Sequence, residues 1–274
     1  METSFNQIII KAADNLQKNT PFVMATVLES IGGTPCRSGF KMIVYPDENF
    51  EGTVGGGLIE HKIRAACLDI FTSKENKLLQ FELTEAETGI GMKCGGEAKI
   101  FLEYFAPSRT IYLFGAGHLC KSILPILKSL QFHLEVIDNR ADYASRDRLP
   151  QADTVICQDY LQYAKEFLPA PQDAVIIFTH AHSNDYDILL NICQRNLDIT
   201  YLGMIASRQK AADNLQQLKN IGISPQQLQK IHTPIGLNIA KTTTQEIAIS
   251  ITAELLAIYN KVTNIKSLSE LPQK

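Results

Sequence analysis

The 274 residues carry 26 Lys and Arg against 29 Asp and Glu, a formal charge of -3 with both signs interspersed, which excludes the concentrated basic footprint of a DNA-, RNA- or anionic-membrane-binding protein. No apolar run reaches the roughly 20 residues that span a bilayer, and the start Met1-Glu2-Thr3-Ser4-Phe5-Asn6 lacks the regions of a secretory leader. A soluble, cytoplasmic protein is expected, with no nucleic acid and no membrane among its partners. Six cysteines, at 36, 67, 94, 120, 157 and 193, form no CxxC pair, and in a chain large enough to bury a sizeable core most of them read as small apolar residues.

The first predicted element is an amphipathic helix over residues 4–18, with Phe5, Ile8, Ile9, Ala12 and Leu16 at helical spacing behind a Ser4 cap. Strands follow at 22–28 and 40–45, separated by the glycine-rich loop Glu29 to Gly39. A helix over 58–71 opens after Gly55-Gly56-Gly57, and strands at 78–83 and 98–105 pair across Gly89 to Glu97. These elements make a small α+β domain over residues 1–106. After Ala106-Pro107-Ser108-Arg109, strands near 111–114, 134–138, 153–156, 174–179 and 200–204 alternate with helices near 118–130, 158–166, 184–195 and 206–220. That βαβ rhythm predicts a Rossmann-like parallel sheet over 107–274, covered by helices on both faces. The last helix starts at the capping box Thr243-Thr244-Gln245-Glu246 and runs to about Asn260. The fold class is therefore α/β with an α+β first domain.

Chemistry is concentrated at the glycines. In Tyr112-Leu113-Phe114-Gly115-Ala116-Gly117-His118 an apolar strand enters a glycine turn that opens a helix, the arrangement that admits phosphate to backbone amides. Asp138 ends the next strand 23 residues beyond Gly115, where a ribose-binding carboxylate belongs, while Cys120 replaces the third small residue of the fingerprint. His118 lies beside that phosphate position. In the first domain the clusters at 30–39, 52–57 and 89–97 each turn amides outward, either as ordinary tight turns or as anion nests. Arg37, Lys41 and Lys93 add positive charge beside them, and Glu60 lies one turn inside the following helix.

Cys94, between Lys93 and Gly95-Gly96, reads either as a thiol whose pKa the turn amides and the ammonium lower, reactive or metal-ligating, or as a buried inert thiol. Thr179-His180-Ala181-His182 with Asp185 follows a strand at the carboxyl end of the sheet, where two imidazoles and a carboxylate bind a divalent metal, move protons or simply begin a helix. Ser207, Arg208 and Lys210 open another helix after a strand, as an anion contact or as a solvated cap.

Taken together, the residues resemble the xanthine dehydrogenase accessory family of the XdhC/CoxI type. The likeness rests on Gly33-Thr34-Pro35-Cys36-Arg37 with Lys41-Met42, Gly55-Gly56-Gly57-Leu58-Ile59-Glu60, Cys94-Gly95-Gly96-Glu97, Gly115-Ala116-Gly117-His118, Val136-Ile137-Asp138-Asn139-Arg140, Thr179-His180-Ala181-His182, Gly203 to Lys210 and Pro234 to Ile239. The resemblance implies a homodimeric maturation factor more than an enzyme of its own turnover, with no catalytic residues assigned. Such a protein binds molybdenum cofactor (molybdopterin), shields it during sulfuration by a cysteine desulfurase and delivers it to a xanthine dehydrogenase-like apoenzyme. The cofactor-binding residues it implies are Arg37, Lys41, Gly55, Gly56, Gly57, Glu60, Cys94, Gly95, Gly96, Gly115, Gly117, His118, Asp138, Ser207 and Arg208, with Cys94 as a molybdenum contact and His180 and His182 as further metal candidates. This chain departs from many relatives at Gly57, where a cysteine is usual, at Ala206 and at Ala240 to Thr243. The first departure moves the thiol expectation to Cys94. The alternatives are an NAD(P)-dependent oxidoreductase and a dinucleotide-sensing regulatory module, either with NAD(P) or another nucleotide at the Gly115 turn.

Overall fold

A computed structural model describes residues 5–83, 96–240 and 242–266. Ser4, the expected cap of the first helix, lies outside them. The chain divides into two compact units, Met1–Pro107 and Ser108–Lys274.

In the first unit α1 (Phe5–Gln17) precedes β1 (Phe22–Gly32), β2 (Lys41–Val44) and β3 (Phe50–Gly52), followed by α2 (Gly57–Ser73), β4 (Lys77–Leu83) and β5 (Gly96–Phe105). The strands form an antiparallel sheet in the order β3-β2-β1-β5-β4. Consecutive residues of β1 are buried because alternate side chains serve opposite faces. Val23, Ala25 and Val27 pack with Ile59, Ile63, Cys67 and Ile70 of α2, whereas Phe22 and Met24 pack with Ile8 and Ala12 of α1. Each fully buried aliphatic side chain contributes about 1.5–3 kcal/mol, so both helices are held by the sheet they cover.

The strand expected to end at Leu28 continues to Gly32. Its register against β5 shifts between Val27 and Glu29, and pairing resumes through Ile31–Glu97 to Gly32–Gly96. A bulge lets the strand bend and go on, so the first third of the expected loop is ladder. The short edge strand β3 was not expected; three residues give too little periodicity to read.

The second unit contains β6 (Thr110–Phe114), α3 (His118–Ser129), β7 (His133–Asp138), β8 (Thr154–Cys157), α4 (Tyr160–Glu166), β9 (Ala174–Ile177), α5 (His182–Arg195), β10 (Tyr201–Met204), α6 (Arg208–Asn220), α7 (Pro225–Leu228), β11 (Ile231–His232) and α8 (Thr244–Tyr259). Every strand pair is parallel, in the order β11-β10-β9-β6-β7-β8. This is the doubly wound order of a dinucleotide-binding fold, with its reversal between β6 and β9. All five residues of β6 are buried. Ile111 and Leu113 meet α3 and α8, while Tyr112 and Phe114 meet α4 and α5. The capping box of α8 forms as read: Glu246 N donates to Thr243 Oγ1 at 3.2 Å, and Thr243 N donates to Glu246 Oε2 at 3.3 Å. The two-residue strand β11 and the one-turn helix α7 were not expected. Among the described residues no helix is long and apolar enough to cross a membrane.

Candidate functional site

Three glycine clusters of the first unit meet at their ends. Gly55 has φ +134°, and a Cβ built there would stand 2.9 Å from Cys36 N and 3.0 Å from Cys36 Sγ. A Cβ on Gly96 would stand 2.5 Å from the Ile31 carbonyl oxygen. The loop after β1 is therefore clasped from both sides, and only residues without side chains allow the approach. It is also tied to itself: Ser30 Oγ donates to the Cys36 carbonyl at 2.7 Å, and Cys36 N donates to Thr34 Oγ1 at 3.1 Å.

The expected phosphate nest at Gly55-Gly56-Gly57 is taken up in part by the chain itself. Glu60 Oε1 accepts from Val54 N at 3.1 Å, from Gly56 N at 2.9 Å and from the Thr53 hydroxyl. Of the three glycine amides, that of Gly56 thus receives the chain's own carboxylate, which suits the positive end of α2, while Gly55 N donates to Thr53 Oγ1 at 3.1 Å. Glu60 shapes the loop from within; Gly57 and Leu58 remain exposed at the helix start, and open space lies where a Cβ on Gly56 would stand. Lys41 Nζ donates to Thr26 Oγ1 at 3.0 Å, and Arg37 is exposed. Cys36 is buried, and desolvation pushes its thiol pKa up. A buried thiol of raised pKa is a poor thiolate. Cys94 and Gly95 lie outside the described residues.

In the second unit Gly115 turns at φ +123°, its amide donating to the Ile137 carbonyl at 2.8 Å; a Cβ there would meet the Phe178 carbonyl oxygen at 2.5 Å. No atom lies within 4 Å of a Cβ built on Gly117, so the approach to the start of α3 is open. Asp138 is fully buried. Its Oδ2 accepts from Ala116 N at 2.7 Å and Arg140 Nη2 at 2.8 Å, its Oδ1 from Arg140 N at 3.0 Å and Arg140 Nε at 2.9 Å. Burial opposes its charge, but the Arg140 guanidinium and the two amides prevail and hold its pKa below the ordinary carboxylate value. The expected ribose acceptor is instead the brace of the glycine turn and the clamp of Arg140. Cys120 is buried in the core beneath α3, with its thiol pKa pushed up by burial.

A cleft of about 470 Å³ opens over the strand ends, lined among others by Gly117, His118, Arg140, Tyr143, His180 and Ser207. The guanidinium of Arg140 lies 3.7 Å from the Tyr143 ring centre. Ser207 caps α6 by accepting from Lys210 N at 3.3 Å, whereas Arg208 is exposed and does not line the cleft.

Of the expected metal grouping, His180 lines the cleft and Asp185 is engaged by the chain itself. His182 is the first residue of α5 rather than part of the preceding loop, and buried Asp185 accepts from Thr179 N at 2.8 Å and Thr179 Oγ1 at 2.7 Å. Among the described residues no three His, Cys, Asp or Glu side chains are placed to hold a metal ion. Sequence reasoning gave no role to Arg140 or Tyr143; the usable signal was a cation two residues after a strand-terminal acid.

A doubly wound parallel sheet with an open crevice at its reversal point defines a Rossmann-type unit, here preceded by an antiparallel α+β unit. The family described as "XdhC Rossmann domain" matches residues 111–255, and that described as "XdhC and CoxI family" matches residues 16–82. The chain belongs to the XdhC/CoxI family. It is 31% identical over 255 residues to the uncharacterized protein YqeB of Escherichia coli (strain K12), a match covering 92% of this chain and 46% of that protein. It is 28% identical over 163 residues to a probable xanthine dehydrogenase subunit of Bacillus subtilis (strain 168), covering 60% of this chain and 47% of that one. The matches thus span about half the length of these curated relatives. A solved structure described as a xanthine dehydrogenase from Bacillus halodurans shares the fold at TM-score 0.51 and 19% identity, over 98% of each chain.

Proposed function

We propose that this chain acts in the maturation of a xanthine dehydrogenase-like molybdenum enzyme, holding molybdenum cofactor while a cysteine desulfurase exchanges an oxo ligand for sulfido and then passing it to the apoenzyme. The observation that carries the reading is the clasp of Gly55 and Gly96 on the Cys36 loop, in a chain similar to a probable xanthine dehydrogenase subunit.

The donor set present fits the cofactor in part. Its phosphate needs a cation and its pterin needs exposed backbone; Arg37 and the exposed start of α2 at Gly57-Leu58 offer both. The Val54 and Gly56 amides are engaged by Glu60, so they are left to shape the loop. Cys36 is buried with a raised pKa, and Cys94 is the thiol proposed to contact the metal, on its place between Lys93 and Gly95-Gly96. When bound, the cofactor supplies the molybdenum centre on which sulfuration takes place. The protein's own residues would bind and orient it. Assembly as a homodimer belongs to the same proposal.

Anaerobic loading with molybdenum cofactor, followed by gel filtration and molybdenum and pterin analysis, tests it. Near-stoichiometric retention of both, unaffected by NAD and lowered in Arg37→Ala and Cys94→Ala, is the expected result. Absence of retention by the intact protein would remove the reading. The oxidoreductase alternative is weakened by Asp138, whose two oxygens are engaged by Ala116 and Arg140.

A further inference from the structure

The edge strand of a sheet exposes a row of unpaired amides and carbonyls to which another strand can add, and proteins ordinarily blunt such edges by shortness, charge, proline or a bulge. Among the described residues the two sheets end in four edge strands. β3, β8 and β11 are blunted by length, with three, four and two residues. β4 is not: it runs for seven residues, Lys77-Leu78-Leu79-Gln80-Phe81-Glu82-Leu83, without glycine or proline, and its register against β5 is unbroken from Lys77–Leu102 to Leu83–Gly96. Its side chains alternate between two faces. Leu79 and Phe81 pack against the core that α2 covers but are only partly buried, while Leu78, on the opposite face, is 54% exposed.

The charges along this edge select its partner. Lys74 and Lys77 stand at the start of β4 and Glu82 near its end, with Glu85 and Glu87 next in the sequence. Antiparallel pairing with a second β4 brings the basic end of each copy to the acidic end of the other. A two-fold axis normal to the sheet keeps each face on its own side, so odd residues meet odd and even meet even. Centring the pair on Gln80 uses the whole strand: Gln80 meets Gln80, Leu79 meets Phe81 on one face, and Leu78 meets Glu82 on the other. The two Leu79–Phe81 pairs carry apolar contact across the join. Glu82 already stands opposite Glu97 of β5, so the position it faces in the second copy suits an apolar or basic side chain and excludes an acid.

We propose that β4 is the strand through which two copies of this chain join, antiparallel about Gln80, so that the sheets of their first units become continuous. The inference rests on the homodimer proposed above and gives it an interface. It is independent of cofactor retention, which is read separately.

Sedimentation equilibrium of the full chain tests it. Leu78→Glu places a carboxylate opposite Glu82 twice in each dimer and should weaken association at least about tenfold. Leu78→Lys places an ammonium there and should associate at least about tenfold more tightly than Leu78→Glu. Because position 78 is exposed in the single chain, both variants should keep the wild-type circular dichroism. Gln80→Cys, made with Cys157→Ser because Cys157 is exposed, should give an intermolecular disulfide on mild oxidation; opposed Cα atoms of an antiparallel pair lie about 4.5–5.5 Å apart, within reach of that bond. Leu78→Cys in the same background should not, since its two copies stand about 13 Å apart along the strands. A wild type that stays monomeric at micromolar concentration would overturn both the interface and the homodimer. A dimer equally stable in Leu78→Glu and Leu78→Lys, or one that Gln80→Cys does not crosslink, would overturn the β4 interface alone.

Discussion

Glu60 and Asp138 are both acids that fill the amide-rich turns from which ligand binding was expected. Glu60 joins Thr53, Val54 and Gly56, and Asp138 joins Ala116 to Arg140. Replacing Glu60 by Ala leaves two amides without their acceptor and should lower stability by about 1–3 kcal/mol in urea denaturation. Asp138→Asn removes the charge from a buried pair whose arginine is 30% exposed, so a loss of about 2–3 kcal/mol at neutral pH is expected rather than the full cost of breaking an enclosed pair. The sign of its pH dependence follows from the lowered pKa of Asp138. The stabilisation is complete above the unfolded carboxylate value of about 3.9 and is lost as pH falls through the lower folded value. The stability gap between wild type and Asp138→Asn should therefore narrow in denaturation curves recorded below about pH 4. A gap that stays constant down to the acid transition would show that the pair does not carry the difference.

At the scale of elements, the glycine loop before α2 separates backbone strain from packing. Gly55 and Gly56 both have positive φ, +134° and +79°, but a Cβ on Gly55 meets Cys36 whereas one on Gly56 meets open space. Each alanine substitution incurs about 1–3 kcal/mol of backbone strain. Gly55→Ala should cost about 1–3 kcal/mol more, because the loop after β1 must move; thermal melts of the two variants give the difference directly. The N-terminus of α8 offers a local comparison, since Thr243→Ala removes one half of the capping box and should cost about 1 kcal/mol. The predicted βαβ alternation and this cap were legible because each depends on residues a few positions apart. Strand β1 ran past its expected end because its continuation depends on Gly96, more than sixty residues away.

The whole molecule has separate cores on each side of Pro107, one around β1, β5 and α2 and another around β6, α3 and α8. Ile63→Ala, in a fully buried position of α2, should destabilise the first unit by about 2–5 kcal/mol. Native-state hydrogen exchange should then accelerate in β1, β2 and β5 and stay unchanged in β6, β7 and β9. Faster exchange throughout the chain would instead mark one cooperative unit.

The sequence by itself determined the Rossmann unit, its glycine turn, the capped last helix and the family, because hydrophobic period, turn chemistry and motif order are properties of neighbouring residues. Tertiary structure decided which partners the polar groups take. Glu60 closes on its own loop, Asp138 holds Arg140, and Glu254 accepts from Tyr201 Oη at 2.5 Å and Gly236 N at 2.9 Å. A carboxylate drawn out of water must find donors wherever the fold brings them, from four residues away at Glu60 to fifty-three at Glu254.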